Sequence, residues 1–295
     1  MAPSGAHGFA ESPLAGSCRC LALHVTVRNT KCQAPIGWLD QNGAVVVAAF
    51  ITEKGGVGKT SVTLGVASAA RAAGRRVLVV DADPQGSASY VLGASGADAR
   101  LVAALEAPKP GGAAASITES SWSGVDVLPA ARDLREWVPT GNSRQQASKL
   151  ERALRGVIHD YDAVLIDCPP GLGLLPLNAL VAADQAVMVA ELSALSVQSI
   201  EPVADLVDDV WHRYNDRLDL AGVIVNRVPP RSNEADTQYD ALGRIVGRRS
   251  IWKPPVPQRV VVNEAAAAGR PIHDYRAKAA DVIEAFDKAW RRLSR

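Results

Sequence analysis

A glycine-rich octapeptide, Glu53-Lys54-Gly55-Gly56-Val57-Gly58-Lys59-Thr60, stands between an unbroken apolar run and a helix-forming stretch that reaches about Ala73. The run, residues 44–51, reads AVVVAAFI. It is far below the roughly 18 residues of a membrane span and has the length of a buried strand. Strand, glycine turn and helix in that order make a phosphate cradle. The glycines let backbone N–H groups point inward, and the helix N-terminus adds partial positive charge. In such a loop Lys59 reaches the β- and γ-phosphates of a nucleotide and the Thr60 hydroxyl ligates Mg²⁺. The general spacing G-x-x-x-x-G-K-[ST] is broken at its first position, where Glu53 stands.

From Ala44 onward short β-branched runs alternate with helical patterns. Strands are expected at 44–51, Val77 to Val80, Val125 to Leu128, Ala163 to Ile166, Ala186 to Ala190 and Gly222 to Val225, with a weak one near Ser250 to Lys253. Ala147, Leu150, Leu154, Val157 and Ile158 fall on one helical face, as do Ile200, Val203, Val207, Val210, Trp211 and Tyr214. Unbroken apolar strands separated by amphipathic helices predict an α/β domain: a mostly parallel sheet covered by helices on both faces. Apolar residues make up 47% of the chain, enough for such a core. The segment 107–115, APKPGGAAA, is expected as a loop inside it. Residues 1–43 are rich in Pro, Gly, Ser and Ala without a period of 2 or 3.6, and are read as a disordered extension preceding a domain at 44–295. Cys18, Cys20, Cys32 and Cys168 match no common zinc spacing and are too few for a disulfide framework, so they are read as free thiols.

Carboxylates stand where a nucleotide site needs them. Asp81 and Asp83 follow the second strand, two residues apart, so that period 2 turns them the same way. Pro84 keeps Asp83 out of a helix. Asp167 ends the strand that begins at Ala163, in the position of an acid that holds the Mg²⁺ hydration shell.

The run Lys54-Gly-Gly-x-Gly-Lys-Thr60 resembles, at every position, the deviant Walker A motif of the ParA/MinD superfamily of P-loop ATPases. Asp81-Ala-Asp83-Pro-Gln-Gly86, Ala163 to Gly171, and Val223-Ile-Val-Asn226-Arg227 resemble further family segments, and the likeness extends over about 44–290. The resemblance implies ATP and Mg²⁺ as cofactors. It implies Lys54, Lys59 and Asp83 as catalytic residues, with Lys54 reaching the nucleotide of a second subunit and Asp83 orienting the attacking water. Residues 54–61, including Gly55, Gly56, Val57, Gly58 and Ser61, together with Asn226 at the adenine, would bind nucleotide. Thr60, Asp81 and Asp167 would serve the metal, Asp81 also supporting the switch region.

Within the superfamily the chain reads most like the ParA partition ATPases, whose ATP-bound sandwich dimer binds DNA without sequence preference and is stimulated by a ParB-like partner. Such a protein is cytoplasmic and nucleoid-associated. The charge pattern agrees: 14 Lys and Arg stand against 8 Asp and Glu from residue 227 on, but 18 against 23 before it. Arg244, Arg248, Arg249, Lys253, Arg259 and Arg270 are the candidate phosphate contacts. Two other readings stay open. A MinD-like division-site ATPase would use the last helix, with Val282, Ile283, Phe286, Ala289, Trp290 and Leu293 on one face, against a membrane, although that face equally suits packing on the sheet. A metabolic ligase resembling dethiobiotin synthetase would share the loop but has less use for a basic C-terminal third.

Overall fold

The computed structural model describes residues 39–40, 43–96, 101–106, 109–137, 143–229 and 233–295. Seven strands, β1 (Val46–Ile51), β2 (Val77–Asp81), β3 (Thr118–Glu119), β4 (Val125–Leu128), β5 (Ala163–Asp167), β6 (Gln185–Glu191) and β7 (Asp219–Asn226), form one sheet in the order β3-β4-β2-β5-β1-β6-β7. All pairings are parallel except that of β3 with β4. The helices are α1 (Lys59–Ala72), α2 (Ser87–Val91), α3 (Leu101–Glu106), α4 (Ser143–Ala147), α5 (Lys149–Leu154), α6 (Leu174–Ala182), α7 (Ala194–Gln198), α8 (Ile200–Arg213), α9 (Asn233–Val246), α10 (Val260–Ala267) and α11 (Ala280–Leu293).

Alternation along β1 shows how the layers are built. Val47, Ala49 and Ile51 join a core with Leu150, Leu154, Leu180, Val203 and Val207 of α5, α6 and α8. Ala48 and Phe50 join a second core with Val62, Val66, Phe286 and Trp290 of α1 and α11. Both faces of the sheet are therefore covered, which is why its strands carry no polar stripe. The apolar face of α11 is used in this packing: Val282, Phe286, Ala289, Trp290 and Leu293 are all buried. No helix among the described residues is long and apolar enough to cross a membrane.

Three expectations differ from the structure. The single helical face over 147–158 is divided between α4, α5 and a 3₁₀ turn at Ile158–Asp160. Buried Asn178 of α6 enters the break, its Oδ1 accepting from Leu150 N at 3.2 Å and its Nδ2 donating to Gln146 O at 2.9 Å. The side chain thus supplies the backbone bonds that a continuous helix would have made. The weak strand at 250–253 reduces to a bridge from Ile251 to Val223, because Pro254 and Pro255 lack the N–H groups to extend the ladder. That approach requires Gly222, whose φ of 145° is closed to other residues and whose added Cβ would strike the Trp252 indole. The antiparallel edge strand β3 carries no apolar run and was not expected. In the stretch read as an extension, Leu39–Asp40 pairs with Gly43–Ala44; its other residues, with Cys18, Cys20 and Cys32, lie outside the described ones.

Parallel strands bring their C-terminal ends to one edge of the sheet. Because β5 lies between β1 and β2, Asp167 is in register with Phe50 on one side and Asp81 on the other. The loop, the two acids and the start of α1 therefore converge at a crevice of the kind in which α/β sheets bind ligands.

Candidate nucleotide site

The loop from Glu53 to Gly58 turns on glycines with left-handed backbone. Gly58 has φ of 80°, and an added Cβ would strike the Asn226 amide, so no other residue fits there. Lys59 and Thr60, the first residues of α1, reach the end of β5. Lys59 Nζ donates to Asp167 Oδ1 at 3.0 Å and Thr60 Oγ1 donates to Asp167 Oδ2 at 2.7 Å. Thr63 Oγ1 adds a third donor to Asp167 Oδ1 at 3.3 Å. Asp167 is fully buried and Lys59 nearly so. Burial works against the Lys59 charge, but Asp167 beside it holds the ammonium above its ordinary value. Cys168, buried next to these groups, has its thiol pushed up to about 12 by burial and is unreactive.

Lys54, Gly55, Gly56, Val57, Gly58, Lys59, Thr60, Ser61 and Asp83 line one cavity of about 340 Å³, which continues between α1, α10 and α11 along Leu64, Trp122, Val262 and Phe286. The loop end supplies backbone N–H groups and cations, and the far end is apolar. Asp83 lines this cavity, 8% exposed, with its Oδ1 accepting from Gln85 N at 2.9 Å. Burial raises its proton affinity, while the Gln85 bond and the Lys59 charge pull the other way.

Two residues expected at the nucleotide are bonded to protein groups in this structure. Asp81 is fully buried and takes no part in the cavity lining. Its Oδ2 accepts from Ser89 N at 2.7 Å and Ser89 Oγ at 2.6 Å, and its Oδ1 from Asp83 N at 3.2 Å. These three bonds hold the start of α2 and the backbone of Asp83, the contacts of a support for the switch region. Burial, with the facing Asp167 carboxylate, pushes Asp81 up to about 7. Asn226 faces the loop: its Nδ2 donates to Val57 O at 2.8 Å and so braces the cradle.

Three residues that the sequence did not single out complete the loop's surroundings. Arg227 adopts a left-handed φ of 54° and donates from Nη1 to Gly56 O and, at 3.1 Å, to Glu191 Oε1. Lys54 Nζ donates to the hydroxyls of Ser193 and Ser196, each at 3.3 Å. Serines some 140 residues away carry no motif that could have announced them.

The donor set suits a hard cation that keeps most of its water. Mg²⁺ is commonly held by one or two carboxylates and hydroxyls together with substrate phosphates. Thr60 and Asp167 offer that chemistry beside the loop. Among the described residues no group of three or more His, Cys, Asp or Glu could hold a metal unaided.

The candidate DNA contacts separate. Arg270 lines the nucleotide cavity and pairs with Asp274 at 3.5 Å. Arg259 is paired with Asp281, and Arg248 with Asp240 at 2.8 Å. Arg249 and Lys253 flank the stretch whose Ile251 bridges to Val223 of β7, and Arg292 of α11 joins them there by donating to Arg249 O at 3.4 Å and covering the Trp252 ring. Arg270 therefore stands at the nucleotide cavity, Arg248 and Arg259 are each held by an aspartate, and Arg292 joins Arg249.

A parallel sheet with a glycine loop after its central strand, an acid at the end of the adjacent strand and a second acid lining the cavity defines a P-loop nucleoside triphosphatase. Residues 45–220 match the AAA domain family. The chain is 32% identical to the sporulation initiation inhibitor protein Soj of Bacillus subtilis over 242 residues, covering 80% of this chain and 94% of Soj. It is 32% identical to the chromosome partitioning protein ParA of Caulobacter vibrioides over 239 residues, covering 79% and 88%. Among solved structures it is similar to cobyrinic acid a,c-diamide synthase of Mycobacterium smegmatis with bound ATP analog and magnesium (TM-score 0.66, 28% identity, 83% of this chain and 92% of that one). The chain belongs to the ParA/Soj family of partition ATPases, within the ParA/MinD superfamily.

Proposed function

We propose that this chain is an ATP-dependent DNA-partition ATPase that works as a nucleotide-bound homodimer. The observation that carries the reading is the convergence of Lys59, Thr60 and Asp167 under a glycine loop whose flank carries a second lysine, Lys54. In this reading backbone N–H groups of residues 55–60 and Ser61 bind the phosphates, and Lys59 leaves Asp167 to meet the β- and γ-phosphates. Thr60 and Asp167 would hold Mg²⁺, which when bound would supply positive charge beside the phosphate oxygens. Asp83, lining the cavity, orients the water that attacks the γ-phosphate. Lys54 serves the nucleotide of the partner subunit, so pairing and turnover require two chains.

DNA binding rests on Arg244, Arg248, Arg249, Lys253 and Arg292. A dimer presents two such patches, and every added phosphate contact contributes a salt-dependent increment to affinity. A ParB-like partner stimulates hydrolysis, and the working location is the nucleoid in the cytoplasm. Burial of the apolar face of α11 weighs against the membrane-bound alternative, since a surface helix needs that face for the bilayer.

Light scattering with ADP, with ATP and with Mg²⁺ withheld tests the dimer. The expected result is a monomer with ADP and a dimer with ATP and Mg²⁺, accumulating in Asp83→Ala and absent in Lys54→Ala. A Lys54→Ala chain that pairs as wild type does contradicts the reading.

A further inference from the structure

Four arginines meet at the end of the sheet opposite the nucleotide loop. Strand β7 begins at Asp219 and α6 closes at Ala182, so the turn after α8 and the last turn of α6 lie at the amino ends of the strands, whereas Asp167 marks a carboxyl end. Between α4, α5, α6 and that turn a cavity of about 350 Å³ opens, with Arg144, Arg152, Arg155 and Arg217 in its wall. Two carboxylates, Glu151 and Asp216, share the wall, so four cations face two anions. Glu151 is taken up by Arg155, whose Nε and Nη2 donate to its Oε1 at 3.1 and 2.7 Å. Asp216 is exposed.

The floor is built before any ligand arrives. Asn215, 5% exposed, donates from Nδ2 to Leu180 O, Val181 O and Ala183 O at 3.3, 3.1 and 2.6 Å, which ties the turn to the end of α6. Asn215 thereby satisfies carbonyls that a helix end leaves open, and α6 needs no arginine for that purpose. The same residue orients a cation: its Oδ1 accepts from Arg217 N at 3.2 Å and from Arg217 Nε at 3.4 Å. Asp184 stands 3.8 Å from the other side of that guanidinium.

We propose that this cavity binds a small molecule carrying two or more phosphate groups, at a site separate from the nucleotide loop. A concave wall of one sign focuses the field and raises the local concentration of counter-ions. The planar guanidinium fork matches phosphate oxygens two at a time. Because the four forks come from α4, α5 and the turn after α8, one phosphate cannot engage them all, and a ligand with several can. The volume lies at the lower end of the range for small-molecule sites, roughly 300–1,000 Å³. A DNA duplex would need its contacts on an open surface, whereas Arg152 and Arg217 are half-buried in the wall. The site is independent of the ATPase reading above and of any dimer.

Phenylglyoxal modifies arginine side chains, and peptide mass spectrometry on the full chain reads each one separately, so binding at the nucleotide loop does not enter the measurement. Sodium tripolyphosphate, compared with sodium chloride at equal ionic strength, should slow modification of Arg144, Arg152, Arg155 and Arg217. Arg213, paired with Asp209 on α8 and outside the cavity wall, should react at an unchanged rate. Arg144→Ala with Arg155→Ala, both at exposed positions, should raise the tripolyphosphate concentration that half-protects Arg152 and Arg217 by about tenfold or more, the loss of one hydrogen bond to a charged group. If the double variant melts below wild type, Arg144→Ala alone carries the test, with a rise of several-fold expected. Equal protection by chloride, equal protection of Arg213, or unchanged half-protection in the variants overturns the site. Protection by a short DNA duplex with none by tripolyphosphate also overturns it and assigns this face to nucleic acid.

Discussion

Lys59 and Asp167 form a buried ion pair, Nζ to Oδ1 3.0 Å, that joins the first turn of α1 to the end of β5. Removing one partner leaves a buried charge unmatched, which costs about 3 kcal/mol. Lys59→Met should therefore lower stability toward urea by about that amount and abolish nucleotide binding. Lys59→Met combined with Asp167→Asn should regain most of the stability and none of the binding. Calorimetric titration with ATP and a denaturation curve separate the two effects.

Asp83 differs from Asp167 in lining the cavity, and among the described residues its carboxylate accepts from the Gln85 backbone. Asp83→Ala should keep ATP affinity within a few-fold and reduce turnover by about 100-fold or more, the usual range for a positioned proton-accepting group. Single-turnover hydrolysis of bound ATP measures this directly.

Gly65 of α1 faces the ring of Phe286 in α11, and an added methyl group there would overlap the ring. Phe286 is 1% exposed and its ring would have to shift to admit the methyl group. Gly65→Ala should thus cost about 1–3 kcal/mol despite the better helix propensity of alanine. A thermal melt that shows stabilisation would mean that α11 sits farther from α1 than described.

The fold was largely legible because its signals are local. Apolar runs, unbroken except for Asp126 in β4, marked β1, β2, β4, β5, β6 and β7, and the loop residues announced themselves by motif. What escaped depends on distance or on single side chains. Nothing near 147–158 shows that Asn178 will divide the helix, and no local pattern shows that Arg292 will stand over Trp252 or that Ser193 will face Lys54. Asp81 and Asp83 share one strand end and one motif, yet Ser89 engages the first and leaves the second at the cavity. The split between support and candidate catalyst follows from a hydroxyl six residues beyond Asp83. Arg259 and Arg270 were grouped with the basic patch on charge alone, and only packing assigns Arg270 to the nucleotide cavity.

Asp184, just before β6, has a buried Oδ1 without a hydrogen-bond partner among the described residues, and its ion-pair partner Arg217 is 3.8 Å away. Burial pushes its carboxyl up to about 6, with Arg217 pulling down. The folded chain therefore holds this proton more tightly than the unfolded chain. The group's contribution to stability falls as pH rises from about 4 to about 6, and is constant above that. Asp184→Asn removes the ionisation, so its stability relative to wild type should increase over that window. Denaturation curves at pH 4.5 and pH 7 check the sign.

DNA binding gated by nucleotide tests the central claim most directly. Fluorescence anisotropy with two unrelated duplexes, titrated across salt with ADP or ATP and Mg²⁺, should show binding with ATP alone. Affinity should be equal on both sequences and fall steeply with salt. Arg249→Glu with Lys253→Glu should weaken it on both duplexes while ATP-driven pairing persists, and Lys54→Ala should abolish it. Equal binding by the ADP and ATP forms, or no binding under any nucleotide, would contradict the account.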